Sequence, residues 1–490
     1  MKKSKSLGIN ATLNAMRTGL SILFPLITYP YALRILHAEG IGRVNYASSI
    51  VSYFSMIASL GFSHYAIREG AKIRDDKEKF SRFASEIFSL NLITTVISFV
   101  LLIICIAITP QFIPYAKLIL LLSTTIIFST FGFEWVNTVY EDFLYITVRT
   151  IATELISMVL LFLMVRSSDD IYPYALLTVV TQAVVCISNY FSCRKYMTIR
   201  ITKTLRLKQH LKPILIFFAN TVATTLYVNS DTTMLGWMEG DYYVGIYTAS
   251  VKVYTVVKSM LAALYSAVVP RISYEIGKGD HESVRETYTS VFCDVLIILL
   301  PAATGLACIS QEIITFMGGT EYQDGVLTLQ ILSVSLVGAI LNGLVTYCIN
   351  IPTGRERINA RAAIYSAAIN IGLNLVFIPM LKQNGAALTT AISEFFVLFY
   401  CIIRDKGSIR DYLIKKKAKI SLLEALSGVA EIVVISLLFK SFDLPYILRM
   451  VLIIFISILA YGAGLLLMGN ELAHRIISSV RKRFERNKTT

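Results

Sequence analysis

The sequence predicts an all-α integral membrane protein of about 14 transmembrane helices. They are expected as two six-helix bundles, related by a pseudo-two-fold along the membrane normal, plus two additional helices, with both termini cytoplasmic. Composition, the spacing of apolar runs and the placement of cations carry this expectation. Of 490 residues, 55% are hydrophobic and 16% charged, whereas soluble domains carry roughly 25% charged residues. One crossing takes about 20 predominantly apolar residues, which leaves room for many spans and none for a sizeable soluble domain. Most enzyme classes are excluded on that ground.

Apolar runs between charged or turn-forming breaks place the first six spans near 9–34, 43–66, 83–108, 115–138, 142–165 and 171–193. Six more fall near 213–236, 242–268, 287–309, 325–349, 359–380 and 385–404, and two final spans near 420–440 and 444–468. The cations test the count, because a missed or invented span would reverse the side of every later loop. With the N-terminus inside, cytoplasmic segments hold 35 of the 46 Lys and Arg, the opposite loops six and the spans themselves five. The net charge of +14 therefore reads as topogenic charge facing anionic head groups, as in Lys415–Lys419 and the tail Arg481–Arg483, and not as a nucleic-acid surface.

The longest outside loop, near 310–324, is too short for a folded domain, which disfavours polymerases and ligases of surface glycans. No G-x-x-x-x-G-K-[ST] run occurs, so uphill movement would draw on a gradient or on membrane potential. The seven cysteines form no C-x-x-C pair and the five histidines are scattered, so neither a disulfide framework nor a metal site is expected, and no cofactor. The histidines read as ordinary surface or interface side chains. Lys2, Lys3 and Lys5 precede a stretch holding Asn10, Asn14 and Arg17 with no small-residue cleavage site, which reads as a retained first span.

An internal repeat supports the two-bundle architecture. Gly42–Ser49 (GRVNYASS), followed by the charged Asp75–Arg82, is echoed some 200 residues later by Val244–Val251 (VGIYTASV), followed by Gly279–Arg285. Chance likeness of membrane segments is the alternative. A displacement of six spans preserves orientation, and substrate sites in such pairs lie near the midplane. The first span of each bundle carries a polar stripe at helical spacing: Asn10, Asn14, Arg17 and Ser21, then Asn220, Thr224, Tyr227 and Asp231. Lipid does not accept such faces cheaply, so they are expected toward the interior, as a wet cavity or as polar glue between helices.

Arg17, Arg149, Lys252 and Lys258 fall at bilayer depth, with Asn14, Asn220 and Tyr227 beside them on the stripes. Cations in a cavity favour an anionic ligand, and arginine grips phosphate through two parallel donors. Asp231, Asp294, Glu394 and Glu154 are the intramembrane acids, read as counter-ions to these cations or as carriers of protons or sodium. Pro25 and Pro30 each remove a helix hydrogen bond, giving the first span either a hinge or a fixed kink.

These residues resemble the Wzx-type polysaccharide flippases of the multidrug, oligosaccharidyl-lipid and polysaccharide exporter superfamily. The resemblance rests on Pro25–Gly42 (PLITYPYALRILHAEGIG) with Ala47–Ile50, on Trp135 with Glu141–Arg149 (EDFLYITVR) and Asp169–Tyr174 (DDIYPY), and on Asp231–Gly236 (DTTMLG) with Val244–Ser250 and Lys252. It covers positions 20–285, while the C-terminal third matches in pattern alone. The chain departs from the family at His37 and Val139, where glycine is usual. The resemblance implies a fourteen-span, two-lobed exporter that moves an undecaprenyl-diphosphate-linked oligosaccharide across a bacterial cytoplasmic membrane for O-antigen, capsule or exopolysaccharide assembly. Arg149 and Asp231 lie within its motifs.

The expected organisation is an N-terminal bundle at 1–193, a basic linker at 194–212, a second bundle at 213–404, and a basic loop, two helices and a basic tail at 405–490. The expected partners are the lipid-linked oligosaccharide, membrane lipids, H+ or Na+ as a coupling ion, and a polysaccharide polymerase complex, with no nucleic acid. The last two spans are expected to guide or shield the lipid tail. Two rival readings stand: a cation-coupled multidrug exporter of the same superfamily, and a non-transporting scaffold of a glycan-synthesis complex.

Overall fold

Helix α1, Leu7–Ser59, runs for 53 residues, about 80 Å at 1.5 Å per residue and far more than one crossing of a ~30 Å hydrocarbon core requires. The computed structural model describes residues 7–202, 206–405, 408–475 and 477–478; the side chains of residues 7–18, 20–23, 207–209 and 408 lie outside that description. Helical dihedrals persist through Pro25 and Pro30, and the break falls at His37, with φ 59 and ψ 176. That region is almost reserved for glycine, and a side chain there costs of order 1–3 kcal/mol. His37 thus takes the backbone role that its glycine-preferring position demands, and α1 comprises the first two expected spans. Among the described residues, thirteen segments are long and apolar enough to cross a membrane, the first of them Phe24–Ile73, which contains the break at His37.

The chain forms two compact units, Met1–Thr248 and Ala249–Thr490. In the first, α1 is followed by α2 (Phe62–Ile73), α3 (Lys77–Ile108), a 3-10 turn (Pro110–Tyr115), α4 (Ala116–Phe131) and α5 (Glu134–Val139). Then come α6 (Phe143–Met164), α7 (Ile171–Cys193), α8 (Leu207–Glu239) and the opening turns of α9 (Asp241–Ser266). α1 packs against α3, α4, α6 and α8, and α7 against α4 and α6. Asp76 caps α3 by accepting the Lys79 N–H at 3.0 Å, the usual service of an acid at a helix start.

Between α7 and α8 the backbone is extended along α3. The amides of Thr198, Arg200 and Thr202 donate to Ser81 Oγ, Ser85 Oγ and Ser89 Oγ at 3.1, 3.1 and 3.0 Å. Two extended residues advance about 6.6 Å and four helical residues about 6 Å, so alternate amides meet serines one turn apart. Met197 and Ile199 turn into an apolar cluster with Phe80, Phe88 and Val136. Further along, His210 is buried, with Nδ1 2.7 Å from Tyr65 OH and Nε2 2.8 Å from Glu86 Oε2. Of the surface or interface places expected for the histidines, His210 takes an interface between helices, where a carboxylate and a phenol contributed from elsewhere in the chain admit it to the core.

The displacement seen in the sequence reappears in the backbone of the first unit. Gly240, at φ 93 and ψ −179, shares the rare conformation of His37 at the same 203-residue offset that separates the hydrogen-bonded pair Asn45 and Thr248. A Cβ on Gly42 would lie 1.7 Å from the Asp241 carbonyl oxygen, and one on Gly245 1.9 Å from that of Ala38. The contact is reciprocal: each break is followed by a glycine that receives the other strand's first carbonyl.

The second unit contains the rest of α9, α10 (Val269–Lys278), α11 (His281–Cys308), α12 (Ser310–Gly318) and α13 (Gly325–Val345), which widens into a π turn at Thr346–Asn350. α14 (Glu356–Leu381), α15 (Gln383–Arg404), α16 (Ser408–Tyr412), α17 (Lys415–Lys440) and α18 (Tyr446–Leu467) follow. α15 packs against α13 and α14, and α11 against α13 and α17. Ion pairs fasten the terminal pair to this unit: Arg449 Nε lies 3.8 Å from Glu312 Oε1, and Arg475 Nη2 donates to both oxygens of Asp294 at 2.7 and 2.9 Å.

Candidate functional site

Arg149 projects from α6 into the interior of the first unit and is buried. Its Nη1 donates to Asn189 Oδ1 at 2.6 Å and its Nη2 to Glu134 Oε1 at 2.8 Å. Glu134 opens α5, which the left-handed residue Phe133 turns away from α4. Asn189, on α7, also accepts from Tyr145 OH at 3.3 Å and Asn137 Nδ2 at 3.2 Å, and Asn137 Oδ1 receives Ser192 Oγ at 3.0 Å. The guanidinium is thus balanced by one acid and held by two helices, and Glu134 is the group that the sequence reading omitted. A single Asn in the apolar run of α7 was the available signal for Asn189.

On α8 the expected stripe grades in depth: Asn220 and Thr224 are exposed, Tyr227 is half-buried and Asp231 is buried. Tyr247 OH donates to Asp231 Oδ2 at 2.8 Å. Beside it, Thr233 Oγ1 donates to Ser49 Oγ at 2.9 Å and lies 3.0 Å from Tyr53 OH, so hydroxyls not anticipated from sequence tie α8 to α1. Glu154 is half-buried on α6. The side chains of Asn14 and Arg17 lie outside the described residues.

In the second unit Lys258 Nζ lies 2.7 Å from Glu394 Oε1, and Tyr254 OH donates to the same oxygen at 3.4 Å. Glu394 is buried on α15 and Lys258 keeps 34% of its side chain exposed, so the ammonium is the accessible member of the pair. Lys252, two turns earlier on α9, is half-buried. Asp294 is taken up by Arg475, as described above. A buried amide cluster not expected from sequence joins α14 to α15: Asn374 Nδ2 donates to Asn370 Oδ1 at 3.2 Å, and Thr389 Oγ1 donates to Asn374 Oδ1.

All-helical architecture among the described residues, with thirteen candidate spans and ion-paired charge inside them, defines a polytopic membrane protein that maintains polar groups at bilayer depth. The chain belongs to the polysaccharide biosynthesis protein family, whose model matches residues 7–274, and a second family model, MatE, matches residues 216–376. A candidate O-antigen transporter of Shigella dysenteriae is 24% identical over 376 residues, covering 75% of this chain and 91% of the relative. Its counterpart in Escherichia coli (strain K12) is 24% identical over 408 residues, covering 80% and 95%. Among solved structures, the lipid II flippase MurJ in an inward closed conformation superposes with a TM-score of 0.74 at 16% identity, over 94% of this chain and 99% of that one. An inward-facing multidrug resistance MATE family transporter gives 0.57 at 13% identity, over 79% and 99%. Both share the fold. The protein is a multi-pass component of a bacterial inner membrane.

Proposed function

We propose that this protein carries a lipid-linked oligosaccharide, borne on undecaprenyl diphosphate, across the cytoplasmic membrane by alternating access through a cationic central cavity, without catalysing a covalent step. The observation that carries the reading is the family match across 7–274, the part of the chain that holds Arg149, Asp231 and Lys252. The two O-antigen transporter relatives, each matched over more than nine-tenths of its length, support the same substrate class.

Arg17, Lys252 and Lys258 receive the diphosphate in this reading. Lys258 arrives already paired, so an incoming phosphate exchanges for Glu394 instead of entering an unoccupied field, and the displaced carboxylate is left buried beside Tyr254. Glu394, which that exchange leaves beside Tyr254, is one candidate for ion coupling. Asp231, held by Tyr247, is the second candidate for ion coupling, with H+ or Na+ as the ion. Asp294 and Glu154 serve as counter-ions. Arg149, balanced by Glu134, is assigned with Asn220 and Tyr227 to the glycan end of the substrate.

The test is translocation of a labelled undecaprenyl-diphosphate oligosaccharide in proteoliposomes, comparing wild type with Arg17→Ala, Lys252→Ala and Lys258→Ala. Flux is expected to fall at least about tenfold in each, as for loss of one charge-assisted phosphate contact. Unchanged flux in correctly inserted variants overturns the cationic-cavity mechanism, and no flux in wild type overturns the substrate. The multidrug exporter reading is tested in the same vesicles with a cationic dye.

A further inference from the structure

The first unit contains a cavity of about 80 Å³ where the last turns of α1 and α4 meet α3, α5 and α7. That is several times the roughly 10–15 Å³ one water needs by the same measure. Its wall includes Ser59, Asn91, Glu134, Trp135, Gln182 and Asn189, a predominance of neutral hydrogen-bonding groups unusual for helices that cross a membrane.

Two of these groups have hydrogen-bonding capacity that the protein does not use. Asn189 is fully buried, and its Oδ1 accepts from Arg149, Tyr145 and Asn137. These donors fix the orientation of the amide and leave its Nδ2 with no acceptor in the protein. Asn91 Oδ1 is likewise buried with no donor. Leaving such an atom unpaired costs about 1–3 kcal/mol, so the wall presents one committed donor and one committed acceptor. The charge beside them is cancelled, because Arg149 is paired with Glu134. An anion here would meet a carboxylate and no uncompensated cation, whereas a hydroxyl, which both donates and accepts, satisfies either amide.

We propose that this cavity is a sugar-recognition site that takes a neutral, hydroxyl-rich pyranose ring. Ring hydroxyls accept from Asn189 Nδ2 and donate to Asn91 Oδ1, Gln182 and Ser59 supply adaptable partners, and Trp135 offers an aromatic wall to the ring's C–H face. The proposal rests on the reading of the protein as a glycan carrier and assigns the carbohydrate end of that substrate a place separate from the lysines that meet the diphosphate. Arg149 is then a positioning residue, which presents the Asn189 amide and withholds its own charge.

The chain has two tryptophans, Trp135 and Trp237, so Trp237→Phe leaves Trp135 as sole reporter on the cavity wall. The full-length Trp237→Phe protein in detergent is titrated with glucose, galactose and N-acetylglucosamine, and separately with sodium pyrophosphate and sodium chloride. The expected result is a saturable change in Trp135 emission with at least one neutral sugar and none with either salt. On that background Asn91→Leu and Gln182→Ala each weaken the apparent sugar affinity, by up to about tenfold for one lost hydrogen bond. The thermal midpoint of each variant identifies a misfolded protein, in which case the other variant decides.

No saturable response to any of the three sugars, a saturable response to pyrophosphate or sodium chloride, or undiminished sugar affinity in the folded variants overturns the proposal. The titration needs no transport. A sugar response in a protein that moves no lipid-linked glycan would sink the transport reading alone, and transport without a sugar response would sink this one alone.

Discussion

Replacing Gly42 by alanine would put a methyl carbon 1.7 Å from the Asp241 carbonyl oxygen, and Gly245→Ala would put one 1.9 Å from the Ala38 carbonyl oxygen. Carbon and oxygen in ordinary contact stand roughly 3.5 Å apart, so each substitution falls short by about 1.6–1.8 Å. The obstructing atom is main chain in both cases, and no rotamer change relieves it. The segments must separate, at an overpacking cost of about 1–3 kcal/mol. Separation also pulls on the Asn45–Thr248 hydrogen bond, 3.2 Å long, and the Thr233–Ser49 bond, 2.9 Å long, each worth about 1 kcal/mol. Each single substitution is therefore expected to destabilise by about 3–5 kcal/mol, read as a lowered thermal unfolding midpoint in detergent and a lower yield of monodisperse protein. The double variant should cost less than the sum of the singles by about 1–3 kcal/mol, because the second methyl enters a gap that the first has opened. Gly240→Ala is the control: nothing lies within 4 Å of its Cβ, and its cost is that of the φ 93 backbone alone, about 1–3 kcal/mol. Strict additivity, or single variants within about 0.5 kcal/mol of wild type, would refute the reciprocal contact.

The Arg149–Glu134 pair should respond asymmetrically, because 7% of the arginine side chain is exposed against 58% of the glutamate. Glu134→Ala strands a buried charge and should cost about 3–5 kcal/mol, while Arg149→Met leaves an acid that water can reach and should cost about 1–2 kcal/mol. Equal midpoints for the two would contradict this burial argument. Changing Ser81, Ser85 and Ser89 together to alanine removes three backbone-to-hydroxyl bonds, about 3 kcal/mol in all. Hydrogen exchange should accelerate at residues 198, 200 and 202, and unaltered exchange there would mean the serines do not hold the segment. Outside the spans, burial raises the Asp142 carboxyl, but hydrogen bonds from Lys195 Nζ at 2.7 Å and Tyr196 OH at 3.0 Å outweigh it and hold the group below its ordinary value of 3.8. A depressed folded-state value contributes stability above the unfolded value and loses it as pH falls through the folded one. Wild type should therefore melt above Asp142→Asn at pH 7, with the gap closing on acidification below 3.8. A gap that widens on acidification would reverse the assignment.

Where the sequence was legible, the reason was local. α7 begins and ends at the residues its apolar run marks, Ile171 and Cys193, because Asp170 on one side and Arg194 on the other interrupt it. The break after the first span was legible as the interruption of the apolar run between 34 and 43, where His37 stands in the place of a usual glycine, and the backbone shows His37 at its centre. Pairings were not legible, because Glu394 meets Lys258 across 136 positions and Asn189 meets Arg149 across 40. A helical wheel reports which face is polar and not which neighbour faces it. That is why Arg149 and Lys258 could be read as cations at bilayer depth while Glu134 went unnoticed and Glu394 was not assigned to a particular partner. The partners of His210 were not legible for the same reason: Tyr65 and Glu86 lie 145 and 124 positions away.

The segment stretched across Ser81, Ser85 and Ser89 also limits how this chain can tolerate changes of length. Adding one residue within 197–202 advances every later amide by about 3.3 Å and turns it to the opposite side, so no hydroxyl lies opposite. Adding two restores the alternation but overshoots by one serine. Most inter-helical connections accept insertions freely, but this one behaves as a ruled edge, and length variants among relatives should be found beyond Thr202 and not within it.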